Sequence, residues 1–235
     1  MTQSHQHPQC TGAQASGPQT DIPKPDDDNR ASRWEERYAS VEQLWSGRPN
    51  NWLPELAVDW EPGAALEIGC GEGADVLWLA EHGWRVTGLD LSATAVARLS
   101  REAERRGVAS RATGRVHDVE AGLPEGPFDL VTSFYVHGGP EEGSLDLVAL
   151  LSDAAARVAP GGRLLTAVHA VNPPWHRHHA RTYTAGELVT GLAEATVGWE
   201  VVVAEERQRR VTGPDGQEDS RADAVVCLRR PPASV

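Results

Sequence analysis

A doubly wound α/β fold is what this sequence predicts: a mostly parallel, seven-stranded sheet ending in an antiparallel β-hairpin. Three observations carry that expectation. A short apolar run, Ala65 to Ile68, passes straight through the turn Gly69-Cys70-Gly71-Glu72-Gly73 into a helical pattern. Strand and helix patterns then alternate, the signature of βαβ units and a parallel sheet. Near the end, two strand patterns have no helix between them and are joined through Gly213-Pro214-Asp215-Gly216, a hairpin turn.

Composition bounds the function. A chain of 235 residues with 40% hydrophobic side chains can bury one substantial core and carry a tail. Cys10, Cys70 and Cys227 lie far apart, so neither a disulfide framework nor a metal site is expected. There is no basic start followed by an apolar run and no stretch of membrane-spanning length, so the expectation is a cytoplasmic protein without a membrane partner. The net charge of −12 argues against a nucleic-acid partner. Arg105-Arg106 reads as a solvated helix face, and Arg207, Arg209 and Arg210 as solvated edge-strand charges.

Residues 1–30 are polar and poor in large apolar side chains, and are expected to be a disordered tail before a single domain over 31–235. His5 and His7 read as part of that solvated tail. From Ser32, a candidate cap, Trp34, Tyr38, Val41, Leu44 and Trp45 recur at helical spacing until Gly47 and Pro49. This stripe is either core or, over 31–62, a helical lid. A short helix follows over Trp52 to Val58. The first helix of the alternation runs Ala74 to His82, closed by Gly83. The second strand, Trp84 to Leu89, reaches Asp90, and Ser92 caps a helix to about Arg106. The third strand is Arg115 to His117 and the fourth Phe128 to Tyr135. A helix bearing Leu147, Leu150, Leu151, Ala154 and Val158 stops at Pro160-Gly161-Gly162, before a fifth strand from Arg163 to His169. Thr184 and Glu187 form a capping box, and Trp199 to Glu205 with Ala224 to Arg229 complete the sheet.

Two cofactors compete for the glycine turn. Gly69, Gly71 and Ala74 satisfy a dinucleotide pattern, with Asp90 at the expected distance. Against it stand Glu67, Glu72 and Asp75, which surround the helix start where a pyrophosphate would sit and have no loop cation to offset them. Such a loop suits a cationic ligand without phosphate.

At Leu66-Glu67-Ile68-Gly69-Cys70-Gly71-Glu72-Gly73 the chain resembles the class I S-adenosylmethionine (SAM)-dependent methyltransferases, of small-molecule type. The resemblance continues through Arg85 to Asp90, Asp118-Val119, Phe128-Asp129-Leu130-Val131, Ala159-Pro160-Gly161-Gly162 and the terminal hairpin, and covers residues from about 34 to 230. It implies a Rossmann-like methyltransferase fold, SAM as cofactor and methyl transfer to a small-molecule acceptor. Glu67 would meet the methionine ammonium. Gly69, Cys70, Gly71 and Gly73 would present backbone to the methionine and ribose. Asp90, with Leu91 beside it, would accept from the ribose hydroxyls, while Asp118 and Val119 would take the adenine. Ser133 and Tyr135 end the fourth strand beside the crevice, and His137 is the candidate polar contact or base near the acceptor. The competing readings are an NAD(P)-dependent oxidoreductase and a SAM-binding regulator without turnover. The segment Trp175 to His179 reads as a loop at the mouth of the site rather than a metal site.

Overall fold

The computed structural model describes residues 30–136, 145–175 and 181–233. Its strands are β1 (Ala64–Ile68), β2 (Arg85–Asp90), β3 (Ala112–Val116), β4 (Phe128–Phe134), β5 (Val158–Val171), β6 (Glu200–Thr212) and β7 (Glu218–Arg229). They form one sheet in the order β3-β2-β1-β4-β5-β7-β6. The β1 to β5 pairings are parallel, and β7 runs antiparallel to both β5 and β6. The expected mostly parallel sheet with an antiparallel hairpin is therefore present.

Two apolar layers cover the sheet because neighbouring residues on a strand point to opposite faces. Ala65, Val86, Leu165 and Val225 meet Leu53 of α2 (Trp52–Ala57), Val76 and Leu79 of α3 (Ala74–Glu81) and Leu99 of α4 (Ala93–Arg105). Their chain neighbours Leu66, Leu164 and Val226 turn to the other face, against Leu147 and Leu151 of α5 (Leu147–Ala156) and Leu188 of α6 (Ala185–Leu192). The caps act as expected: Ser92 Oγ accepts from Ala95 N, and Thr184 and Glu187 close a reciprocal box. Among the described residues, no helix is long and apolar enough to cross a membrane.

Four boundaries differ from the sequence expectation. The first helix, α1, covers Arg30–Ala39, contains Ser32 rather than being capped by it, and ends well before Gly47. The chain unwinds there because the amides of Leu44 and Trp45 turn to the Glu72 carboxylate instead of back along a helix. Val158 is not the end of α5 but the start of β5, paired with Phe128. β3 begins three residues earlier than the Arg115 of the sequence reading, at Ala112. The hairpin strands are also much longer, because pairing continues from Arg229 opposite Glu200 to Glu218 opposite Thr212.

Gly73 has φ 86°, and a Cβ there would fall 2.2 Å from Leu99 Cδ1. Gly107, with φ 71°, faces open space. Left-handed backbone costs an L residue about 1 to 2 kcal/mol, and overpacking adds about 1 to 3. Urea unfolding is therefore expected to show Gly107→Ala losing about 1 kcal/mol and Gly73→Ala at least twice as much.

Candidate active site

The carboxyl edge of a doubly wound sheet is where ligands bind, and here it opens into a cleft of about 1590 Å³. That exceeds the roughly 300 to 1,000 Å³ of a one-ligand pocket, so a cofactor and a second molecule fit together. The cleft is bounded by the loop after β1, the end of β2, the turn after β3, the end of β4, the hairpin and the N-terminal segment.

The loop glycines Gly69, Gly71 and Gly73 all have positive φ, which folds the strand sharply back into α3. At Gly71, the N-terminal segment contributes to the need for glycine, since a Cβ would lie 2.9 Å from the Tyr38 hydroxyl. Cys70 donates its N–H to Leu89 O, and burial raises its thiol well above the usual range, away from thiolate chemistry. Asp90 clasps the turn: Oδ2 accepts from Gly71 N at 2.9 Å and Oδ1 from Ser92 N at 3.0 Å. Burial raises its pKa, partly offset by these donors. Asp90 and Leu91 both line the cleft.

Each acid that makes the loop look strongly negative in sequence has a partner, which corrects the count of free charges. Glu67 is buried behind the loop against the Thr132 hydroxyl and does not line the cleft. Burial, then nearby Asp75, holds its carboxyl well above the ordinary range, toward the neutral form. Glu72 meets Arg98 Nη1 at 2.8 Å as well as the amides of Leu44 and Trp45. Asp75, on the cleft wall, accepts from Asn50 N at 2.6 Å, and desolvation pushes its pKa up to about 7. What separates the two cofactor readings is the topology. Dinucleotide folds use a parallel 3-2-1-4-5-6 order, whereas here an antiparallel β7 stands between β5 and β6.

The N-terminal segment both packs on the domain and faces the cleft. Tyr38 is buried, Arg98 Nη2 reaches its carbonyl, and Glu35 accepts from Ser92 Oγ at 2.6 Å, so α1 is fastened to α4. Trp34, Tyr38 and Trp45 also line the cleft, with Trp45 Nε1 donating to Tyr38 Oη at 2.9 Å. Arg37 lies over the Trp34 and Trp45 rings.

Asp118 caps the single turn Val119–Ala121 and is paired with Arg30 at 2.6 Å, while Val119 and His117 line the cleft. Ser133 is buried off the cleft, with no hydrogen-bond partner for its hydroxyl among the described residues. Tyr135 lines the cleft with φ 56°, a left-handed value that a bulky residue holds only when its surroundings impose it. His137 and residues 176–179 lie outside the described residues.

The sequence reading missed a polar cluster at the far end of the cleft. Asp223 on β7 is fully buried and accepts from Tyr135 Oη at 2.8 Å, Arg209 Nε at 2.7 Å and Trp52 Nε1 at 3.3 Å. His169 Nδ1 sits 2.9 Å from its other oxygen. Burial alone would raise this carboxyl, but the His169 and Arg209 contacts outweigh it and hold the pKa at about 2. Burial lowers the pKa of His169, favouring the neutral ring, with Nδ1–H donating to Asp223. The same burial, with Asp223, pushes Tyr135 up to about 12. Arg209 thus lies in the cleft rather than in solvent, which corrects its reading as an edge-strand charge. Arg207 is also engaged, on Glu55 and over the Trp52 ring. The hairpin register explains the miss: the strands are joined through residues 213–217, with Thr212 opposite Glu218, which sets Arg209 opposite Arg221, whereas counting outward from Gly213–Gly216 alone would set it opposite Ser220.

Asp75 titrates in a testable window. Its unfolded form loses the proton near its ordinary value and the folded form near 7, so the native state holds the extra proton in between. Stability from this group is present at low pH and lost as pH rises toward 7, by up to about 1 kcal/mol per pH unit. Thermal unfolding of wild type and Asp75→Asn from pH 5 to 8 is expected to show wild type losing ground to the variant. Parallel profiles would contradict the assignment.

Comparison with known proteins agrees with this architecture. Residues 65–162 match the family model described as a methyltransferase domain. A ubiquinone biosynthesis O-methyltransferase of Methylobacterium sp. (strain 4-46) is 34% identical over 171 residues, 71% of this chain and 65% of that protein. A ribosomal RNA small subunit methyltransferase C of Alcanivorax borkumensis is 32% identical over 105 residues, 44% of this chain. The chain spans about a third of the length of the ribosomal RNA methyltransferases it matches. The N-methyltransferase NodS of Bradyrhizobium japonicum WM9, solved with S-adenosyl-L-homocysteine, superposes with a TM-score of 0.60 at 20% identity, covering 87% of this chain and 100% of that one. That likeness is one of fold.

Proposed function

We propose that this chain, whose residues 65–162 match a methyltransferase-domain model within one seven-stranded sheet, is a class I, Rossmann-like methyltransferase that transfers the methyl group of SAM to a small-molecule acceptor in the cytoplasm. The observation that carries the reading is the division of one cleft into two ends. The glycine turn and Asp90 lie at one end, and the cluster around Asp223 at the other.

The residues fit the cofactor. Asp90 spends one lone pair of each oxygen on the turn and keeps others for the ribose hydroxyls. Asp75 supplies a carboxyl on the cleft wall that ionises near neutrality and gains charge as an ammonium approaches. Val119, on the cleft wall at the turn after β3, would meet the adenine, with Asp118, held by Arg30, next to it in the chain. Glu67 acts from behind, through the strand and turn it supports. The aromatic segment Trp34 to Trp45 covers this end and excludes water.

When bound, SAM supplies a methyl group on a positively charged sulfur. Held by the glycine turn and Asp90, it would offer that methyl to a lone pair of the acceptor, with the sulfur as leaving group and any acceptor proton passing to base or water. The protein's work is alignment of the two molecules, worth a large part of the barrier without a dedicated acid or base. Tyr135, at the end of β4, and His169, whose ring centroid lies 4.5 Å from that of Tyr135, shape the wall the acceptor meets. The net charge of −12 favours a small molecule over an RNA acceptor.

Two measurements test this. Asp90→Ala is expected to weaken SAM binding at least tenfold by calorimetry, since a hydrogen-bonded charged acceptor is worth about 1.5 to 3 kcal/mol. Unchanged affinity would remove the ribose assignment. Turnover is read as S-adenosylhomocysteine formed across an acceptor panel, and tight NAD(H) binding in place of SAM would overturn the reading.

A further inference from the structure

We propose that Arg37, aided by the Tyr38 hydroxyl beside it at the end of α1, binds the carboxylate of the cofactor's methionine portion, so that the chain distinguishes SAM from a decarboxylated form. The inference rests on the methyltransferase reading and assigns the recognition of one further group of the same ligand.

The charges of the cleft pose the requirement. SAM carries one anionic group, its carboxylate, and Glu72, Asp75 and Asp90 all line the cleft around the glycine turn. A carboxylate brought among them is repelled unless a cation meets it. Several arginines of this wall are committed: Arg98 to Glu72, Arg30 to Asp118 and Glu120, Arg105 and Arg106 to Glu102. Arg37 lines the same cleft, and among the described residues no carboxylate pairs with it.

Its side chain is nevertheless held. The guanidinium lies 4.9 Å from the ring centroid of Trp34 and 5.6 Å from that of Trp45. Trp45 is itself fixed, through its N–H on Glu72 at 2.9 Å and its Nε1 on Tyr38 Oη. A guanidinium stacked by its face keeps its edge N–H donors, which are the ones that meet a carboxylate in bidentate fashion. The two indoles therefore orient Arg37 without spending its hydrogen bonds. Arg48 and Arg101 also line the cleft, but among the described residues neither lies over a ring.

Tyr38 supplies a second donor. Its buried Oη accepts from Trp45 Nε1, and among the described residues its own O–H meets no acceptor. Burial, then nearby Asp90, raises its pKa, so the hydroxyl keeps a proton to donate. A Cβ on Gly71 would lie 2.9 Å from this oxygen and 3.4 Å from the Trp45 indole. Both groups thus stand over the turn expected to present its backbone to the methionine.

Calorimetry on the full-length protein tests this with S-adenosylhomocysteine and its decarboxylated analogue, which keeps the ammonium and lacks only the carboxylate. No binding of S-adenosylhomocysteine to wild type would overturn the methyltransferase reading, and the present inference with it. Wild type is expected to bind S-adenosylhomocysteine at least tenfold more tightly than the analogue. Arg37→Met, which keeps an apolar contact with the indoles, is expected to weaken S-adenosylhomocysteine at least tenfold. Its affinity for the analogue is expected to stay within twofold of wild type, which also shows that the variant folds. Arg37→Lys is expected to restore part of the discrimination, and Tyr38→Phe to lose part of it. Equal binding of the two ligands by wild type, an equal loss of both in Arg37→Met, or a discrimination abolished by Arg101→Met instead would each overturn the carboxylate site while leaving the cofactor assignment intact.

Discussion

A carboxylate with no exposed surface must be surrounded by donors, and Asp223 imposes that demand on most of this cleft. Leaving such a group unpaired costs several kcal/mol. The donors come from elements far apart in sequence: Trp52 on α2, Tyr135 after β4, His169 on β5 and Arg209 on β6. Satisfying one side chain therefore fixes where the N-terminal segment crosses the sheet and where the hairpin stands. It also accounts for the left-handed backbone at Tyr135, since the hydroxyl contact at 2.8 Å requires that side chain to turn back over β7.

The opposite end of the cleft is organised by Glu72. Its carboxylate gathers Arg98 from α4 and two amides from the segment after α1. Arg98 in turn donates to the carbonyls of Tyr38 and Val41. The loop acid that looks in sequence like a repellent to phosphate is thus a fastening for the aromatic cover. Its charge is neutralised in the protein before any ligand arrives.

Much of the sheet was legible because it depends on local patterns. The capping box at Thr184 and Glu187, the cap at Ser92 and the apolar runs of β1 and β4 follow from period and turn chemistry. The misjudged boundaries depend on partners distant in the chain. Nothing near Ala39 says that α1 stops there; the cause is Glu72, more than thirty residues on. The site divides in the same way. Asp90 and the glycines carry a linear motif, whereas Asp223 and Arg221 carry none. Arg209 looks solvated until the register of the hairpin is counted out and its neighbour proves to be another arginine.

Asn50 joins the two halves of the cleft. Its N–H holds Asp75 on the cofactor side, and its side chain stands beside the Tyr135 hydroxyl on the acceptor side. The two ends therefore do not respond as separate sites. Moving this one residue alters a carboxyl that ionises near neutrality and a phenol bonded to the buried Asp223. Substitutions at Asp75 and Tyr135, which share that intermediary, are energetically coupled rather than additive. The segment between α1 and α2 in this sense links the two ends of the cleft thermodynamically, through a single peptide unit and its side chain.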